Sequence, residues 1–156
     1  MAIRNIVKQG DGCLEKVCRP VTEFNARLHT LLDDMRETLA AADGAGLAAP
    51  QVGVLRRAAI IVDGEGGYLE LINPEILEQQ GSQEGAEGCL SVPGRYGMVE
   101  RPQKITIQFQ DRNGERRRLE LEDFLARAAC HETDHLEGKL YLRLVTRFLD
   151  PEEVEA

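Results

Sequence analysis

Apolar residues recur at spacings of three and four in two long segments of the chain, and this period predicts two amphipathic helices. The first segment runs from about Thr22 to Asp43, with Thr22 as the expected N-cap and Gly44 directly after the end. The second segment covers roughly Glu122 to Gly138. Each helix is expected to bury its apolar face against the rest of the chain.

Between the two helices, short apolar or alternating runs bounded by turn residues predict five strands. They span residues 57–62, 68–72, 75–79, 104–110 and 115–121. An Asn73-Pro74 turn is expected to separate the second strand from the third, and the polar segment after Gly81 is expected to form a loop that carries Cys89. The pattern predicts an α+β fold, in which antiparallel and mixed β-sheets pack around the second helix and a long N-terminal helix is added.

Length and composition narrow the class of protein. The chain has 156 residues, enough to bury a core of its own, and a single domain over residues 1–156 is predicted. A formal net charge of −8 argues against direct nucleic-acid binding, which needs clustered basic residues. No apolar leader or membrane-length segment is seen, so we expect no membrane partner and a cytoplasmic location, where cysteines stay reduced.

The second predicted helix contains an H-E-x-x-H motif, formed by His131, Glu132 and His135. Residues four apart lie on one face of a helix, so both imidazoles can reach one metal ion. Glu132 is rotated by about 100° from that face and would flank the metal as a general base. Stepping back from His131 by three and four gives Ala128 and Phe124, so the histidines continue the apolar stripe.

A catalytic metal site of this kind uses three protein ligands and leaves one position for water. His29 is predicted on the first helix and has no companion at ligand spacing. Cys130 precedes His131 directly and points about 100° away around the helix. Cys89 is the best remaining candidate, so the sequence predicts a site of two histidines and one cysteine for one divalent metal ion.

The segment Gly44–Gln51, with the sequence GAGLAAPQ, has two interpretations. It is either a helix C-cap that runs into a loop, or a loop that offers main-chain groups to an extended substrate and ends in the amide of Gln51. A dinucleotide site is excluded, because a helix precedes the glycines and Pro50 follows them. This segment alone does not decide between the two.

Three separated motifs together are more specific than any one of them. They are residues 44–51, residues 87–91 (EGCLS) and residues 131–135 (HETDH). In order and approximate spacing they resemble the peptide deformylase family, and the resemblance extends over nearly the whole chain. It implies a metallo-amidohydrolase that removes the N-formyl group from N-formylmethionyl nascent peptides and releases formate.

The resemblance also implies roles for individual residues. Cys89, His131 and His135 would bind the metal, which in this family is usually ferrous iron, with zinc, nickel or cobalt as possible substitutes. Glu132 would act as the general base. The amide of Gln51 and the main-chain N–H of Leu90 would stabilise the oxyanion. A transient association with the ribosome is a further expectation from the family.

Substrate contacts follow from the way the family binds peptides. The peptide adds as a strand between the first two motifs, so Ala45, Gly46 and Gly88 are expected as main-chain partners. Phe124 and Ala128 are expected to line an apolar pocket for the methionine side chain.

One departure and two alternatives accompany this interpretation. Cys130 stands where the family commonly has glutamine, and altered packing or redox sensitivity is the expected effect. Arg101 matches a family arginine and is expected to pair with Glu87. The alternatives are a small metallopeptidase, which would need a downstream third ligand, and a deformylase-like binding protein with a structural metal.

Overall fold

Two antiparallel sheets and two long helices make up the part of the chain that the structure describes. The computed structural model describes residues 2–154, so Met1, Glu155 and Ala156 of the predicted domain lie outside it. The strands are β1 (Gly46–Ala48), β2 (Ala58–Val62), β3 (Tyr68–Gln80), β4 (Gln83–Cys89), β5 (Val92–Arg101), β6 (Lys104–Gln110), β7 (Arg116–Glu122) and β8 (Val145–Phe148). The helices are α1 (Ala26–Ala42), α2 (Asp123–Leu136) and the short α3 (Pro151–Val154).

The larger sheet has the order β1-β2-β3-β6-β7, and the smaller has the order β4-β5-β8. All of the paired strands run antiparallel. A parallel pairing occurs as an isolated bridge between Arg19 and Arg56. The predicted α+β class is confirmed. Because β1 and β4 each lie at the edge of a sheet, the main chain of both strands is open on one side.

The central strand β3 runs through the position where the sequence predicted a turn, so the division into strands 68–72 and 75–79 was wrong. Asn73 adopts a positive φ of 51°, and the register with β6 shifts between Ile72 and Glu75. The Asn73 side chain is held by Val21, which donates its N–H and accepts from the amide. The bulge therefore bends the strand without ending it.

Helix α1 begins four residues later than the predicted Thr22. Asn25 is the N-cap, and its side chain accepts a hydrogen bond from the N–H of Leu28 at 3.2 Å. Upstream, the N–H of Val21 is hydrogen-bonded to the Asn73 side chain at 2.8 Å. This tertiary hydrogen bond keeps the chain before Thr22 out of the helix. The N-cap is therefore Asn25, the next residue of a type that commonly caps helices.

The segment after Gly81 forms β4 and not the predicted loop, so Cys89 is the last residue of a strand. The sequence did not predict β4 because apolar and polar residues do not alternate along it, and its one fully buried residue is Glu87. β4 pairs with β5 from Gln83 to Cys89. A Cβ atom at Gly88 would lie 2.5 Å from the ring of Tyr96, so any other residue there would have to displace that ring.

Helix α2 packs on the larger sheet through Ala126, Ala129 and Cys130, which join a core with Ile61 and Ile107. The predicted apolar stripe needs one correction, because Phe124 remains 53% exposed. It lies in the first turn of the helix and lines the cavity described below. Among residues 2–154, no helix has both the length and the apolar character needed to cross a membrane.

Candidate active site

Strand β4 of the smaller sheet and helix α2 bring Cys89 and the H-E-x-x-H residues together. His131, Glu132 and His135 are all buried on α2, and Cys89 reaches them from the end of β4. The Sγ of Cys89 lies 3.4 Å from Nε2 of His135. One ligand atom from each of Cys89, His131 and His135 can be chosen so that all lie within 4.8 Å of one another.

Glu87, two residues before Cys89, orients His131. Its Oε1 lies 2.9 Å from Nδ1 of His131, which leaves the Nε2 atom of that ring for the cluster. A carboxylate on the far nitrogen fixes the tautomer and the ring plane of a ligating histidine. Burial opposes a positive charge on the ring, but the Glu132 carboxylate, Cys89 and Glu87 outweigh burial and raise the pKa of His131.

Two buried arginines hold Glu87 in turn. Arg101 donates to both carboxylate oxygens at 2.8 and 2.9 Å, and Arg127 donates to Oε2 at 2.7 Å. Burial alone would raise the pKa of Glu87, but Arg101 and His131 lower it to about 2, so the carboxylate stays ionised. The sequence indicated the Arg101 pair but missed Arg127, which precedes His131 by one helical turn and so carried a recognisable spacing.

Glu132 lies beside this cluster with no polar partner at one oxygen. It is 4% exposed, and among the described residues Oε1 has no hydrogen-bond partner. Burial raises the pKa of Glu132 to about 7. A carboxyl group of this pKa exchanges a proton readily near neutral pH, as a general base must.

Gly46 provides the space that Glu132 occupies. A Cβ atom at position 46 would lie 2.5 Å from Oε2 of Glu132 and 3.0 Å from its carboxyl carbon. Real Cβ atoms essentially never approach so closely, so any other residue here must displace the carboxylate. The glycine in the first motif is therefore explained by the glutamate of the third.

We expect Gly46→Ala to lower kcat for the proposed reaction about tenfold or more, because displacing a catalytic group by about 1 Å can cost on that order or beyond. The metal content should change little, since the added Cβ atom would meet Glu132 and none of Cys89, His131 and His135. Gly12→Ala is the matched control, because a Cβ atom there meets nothing within 4 Å. Equal kcat values for the two variants would contradict the steric role of Gly46.

Gln51 is oriented at both ends of its amide. Its Oε1 accepts from the N–H of Ala48 at 2.9 Å. Its Nε2 donates to Oγ of Ser91 at 3.0 Å and lies 3.6 Å from Sγ of Cys89. Leu90 lies between Cys89 and Ser91, in the turn that joins β4 to β5. The structure thus brings Gln51 and Leu90 to the cysteine side of the cluster.

A cavity of about 410 Å³ opens beside the cluster. All the predicted substrate-binding residues line it: Ala45, Gly46, Gly88, Phe124 and Ala128. The open edges of β1 and β4 contribute to its walls. Tyr96 and Arg127 also line the cavity and were not predicted. Tyr96 faces the cavity from β5, where it pairs with Gly88 of the unpredicted strand β4.

The chemistry of these residues fits a divalent metal. A thiol and two imidazole nitrogens form a donor set suited to zinc or iron, and the Glu87–His131 hydrogen bond is of the kind that supports a ligating histidine. Glu132, whose Oε1 has no hydrogen-bond partner among the described residues, lines the cavity beside these groups. His29 lies elsewhere, with Nε2 bound to the carbonyl of Arg112, and Cys130 is buried in the core.

Fold and site together define an α+β hydrolase with a cysteine–histidine group that can hold a metal ion. The family model described as Polypeptide deformylase matches residues 3–148. The peptide deformylase of Caldanaerobacter subterraneus subsp. tengcongensis is 56% identical over 155 residues, which cover 99% of this chain and 97% of that protein. Peptide deformylase 1 of Bacillus cereus is 51% identical over 156 residues, which cover 99% of this chain and 100% of that protein.

Solved structures of peptide deformylases have the same fold as this chain. The crystal structure of peptide deformylase from Thermotoga maritima superposes with a TM-score of 0.91 at 39% identity, covering 94% of this chain and 99% of that one. A crystal structure of a peptide deformylase from Legionella pneumophila superposes with a TM-score of 0.89 at 40% identity, and the match covers 97% of this chain and 89% of that one. The chain belongs to the polypeptide deformylase family.

Proposed function

We propose that this hydrolase removes the N-formyl group from N-formylmethionyl nascent peptides, with Glu132 as the general base and formate as a product. The observation that carries the proposal is the juxtaposition of the Cys89–His131–His135 group with the unpartnered, buried carboxylate of Glu132 at the wall of a cavity. A purely structural metal site has no need of such a carboxylate. We further propose that residues 1–156 act as a single catalytic domain.

Cys89, His131 and His135 would hold one divalent ion, with ferrous iron as the metal of the cell and zinc, nickel or cobalt as substitutes. When bound, such an ion acidifies a water molecule and polarises the carbonyl oxygen of the substrate. Cys89 and His131 line the cavity, so water and substrate can reach the group from there. Glu87 keeps His131 oriented for this task.

Glu132 would move the proton. Its carboxylate takes a proton from the attacking water as the water oxygen bonds to the formyl carbon. The same proton then passes to the amide nitrogen as the carbon–nitrogen bond breaks, which gives formate and a free amino terminus. Burial keeps the carboxylate basic enough for the first transfer, and its conjugate acid is acidic enough for the second.

Gln51 and Leu90 would stabilise the oxygen that becomes negative during the attack. Gln51 offers a side-chain N–H from a buried position, and Leu90 offers its main-chain N–H. Hydrogen-bond donors that are already placed at a developing oxyanion typically contribute about 3 kcal/mol each.

The peptide would bind as an extra strand between the open edges of β1 and β4. Ala45, Gly46 and Gly88 then supply main-chain partners, as in other cases of β-augmentation. Phe124 and Ala128 line the cavity where the methionine side chain would enter. The half-exposed Phe124 ring would lose solvent contact on binding, which favours an apolar side chain there. A transient association with the ribosome in the cytoplasm, without direct nucleic-acid recognition, completes the proposal.

The proposal is tested by assaying iron-loaded protein under anaerobic conditions with a formyl-Met peptide, and by measuring formate together with new amino termini. We expect the two products in equal amounts. The same peptide without its formyl group is the control, and it should yield no new amino terminus. Internal cleavage of the control would favour a metallopeptidase, and absence of formate from fully loaded protein would favour a binding role.

A further inference from the structure

The hydroxyl of Ser91 is buried against the amide of Gln51 and does not act as a ligand or a base in the proposed reaction. Ser91 is 0% exposed and Gln51 is 1% exposed. The Oγ atom of Ser91 accepts a hydrogen bond from Nε2 of the Gln51 amide at 3.0 Å, and the amide oxygen accepts one from the N–H of Ala48. An amide group is planar, so these two bonds fix where its second N–H points.

That second N–H points toward the metal-binding group. Nε2 of Gln51 lies 3.6 Å from Sγ of Cys89, so this thiol is a second partner of the same amide nitrogen. Without the Ser91 hydroxyl, the amide could turn about its terminal bond, because torsions of this kind have broad minima. The serine thus selects one orientation of a group whose direction matters for stabilising an oxyanion.

The main chains of Gln51 and Ser91 are joined by a third segment. The N–H of Val7 donates to the carbonyl of Gln51, and the N–H of Gln9 donates to the carbonyl of Ser91, both at 2.7 Å. Gln51 follows β1 of the larger sheet, and Ser91 lies in the β4–β5 turn of the smaller sheet. Residues only two apart therefore fix the distance between two site segments that belong to different sheets.

The N-terminal segment is itself anchored to α1. The N–H of Ala2 donates to Asp34 at 2.7 Å, and the N–H of Arg4 donates to Oγ1 of Thr38 at 2.9 Å. The guanidinium of Arg4 also pairs with Asp34. These bonds give the segment a fixed origin on the body of the protein.

We propose that Ser91 is a positioning residue that aims the Gln51 amide at the reacting oxygen, and that Val7 and Gln9 form a strap that sets the spacing between Gln51 and Ser91. This inference rests on the proposed function, because it assigns a means of control to the oxyanion donor. It extends the catalytic arrangement to Ser91, the last residue of the second motif, and to Val7 and Gln9, which lie outside the three motifs.

The role of Ser91 is tested by a double-mutant cycle with Ser91→Ala and Gln51→Ala, measured on metal-loaded protein. We expect Ser91→Ala to lower kcat about tenfold and to leave KM within about twofold, because an amide that is free to turn is a poorer oxyanion donor. In the Gln51→Ala background, Ser91→Ala should lower kcat no further, since its effect passes through the missing amide. Metal content should match that of the wild type in all three variants.

An equal loss of kcat from Ser91→Ala in both backgrounds would overturn the positioning role, as would a parallel loss of bound metal. The outcome is distinct from failure of the proposed function, because in that case the wild-type protein itself would release no formate.

The strap is tested with proline, which removes a main-chain N–H. Val7→Pro and Gln9→Pro each delete one strap hydrogen bond, whereas Lys8→Pro is the matched control, because the Lys8 N–H makes no hydrogen bond to a main-chain or side-chain group of residues 2–154. We expect the first two variants to lower kcat severalfold and to be less than additive with Ser91→Ala. A kcat for Lys8→Pro as low as theirs, or full additivity with Ser91→Ala, would overturn the strap.

Discussion

Replacing Glu132 by glutamine is expected to lower kcat for formate release by about 10²–10⁴-fold, the usual contribution of a general base. Glutamine keeps the shape of the side chain, so its contact with Gly46 and its place beside the cluster are preserved. What would be lost is the basic oxygen that is proposed to take the proton from water. KM should change by less than about threefold, because the carboxylate is expected to act mainly in the transition state.

The control for this substitution is Glu137→Gln, which makes the same chemical change at the end of α2. The Glu137 side chain is 43% exposed and forms an ion pair with Arg57. The kcat of this variant should therefore remain close to the wild-type value. Metal analysis of the Glu132 variant should show the same content as the wild type. A kcat within about threefold of wild type, with metal bound, would remove Glu132 from the mechanism.

Replacing Cys89 by alanine is expected to abolish stable metal binding and with it formate release. Two histidines remain, but a site of this kind needs three protein ligands. The wild-type protein should unfold at a higher temperature with metal than without it, because an ion that binds only the folded state stabilises that state. In the Cys89 variant this difference should disappear.

Cys13 and Cys130 provide matched controls for the loss of a thiol. Cys13 is partly exposed, and its Sγ lies 3.5 Å from the carbonyl of Pro50, so Cys13→Ala should keep its metal. Cys130 adjoins His131 in sequence, but it lies on the face of α2 that is buried in the core. Cys130→Ala should therefore keep metal and activity and lose some thermal stability. Full metal retention by the Cys89 variant would contradict the proposed ligand set.

The residues of α2 illustrate what the sequence alone could predict. A period of three and four residues places His131 and His135 on one face, and the structure buries both. Local periodicity is enough here because a helix is defined by bonds between near neighbours. The resemblance to the deformylase family depended instead on three separated motifs, of which α2 contains one.

Elements that depend on distant pairing were harder to predict. The polar β4 is a strand because it hydrogen-bonds to β5, and β3 continues through Asn73 because β6 pairs with both of its halves. Glu87 meets His131 across 44 residues of chain, which local spacing cannot reveal. The capping role of Asn25 was missed for a related reason, since a tertiary hydrogen bond decides where α1 begins.

The places of the three proposed metal ligands in the fold have a consequence beyond catalysis. Cys89 belongs to the smaller sheet, while His135 lies on the helix that covers the larger one, 46 residues further along the chain. A metal shared by the two would act as a reversible cross-link, and closing a loop of this length is worth about 4 kcal/mol in the chain-entropy treatment of disulfides. Such a link works in a reducing compartment where a disulfide would not persist. Metal supply would then govern how long the folded protein survives proteolysis, as well as how fast it turns over substrate.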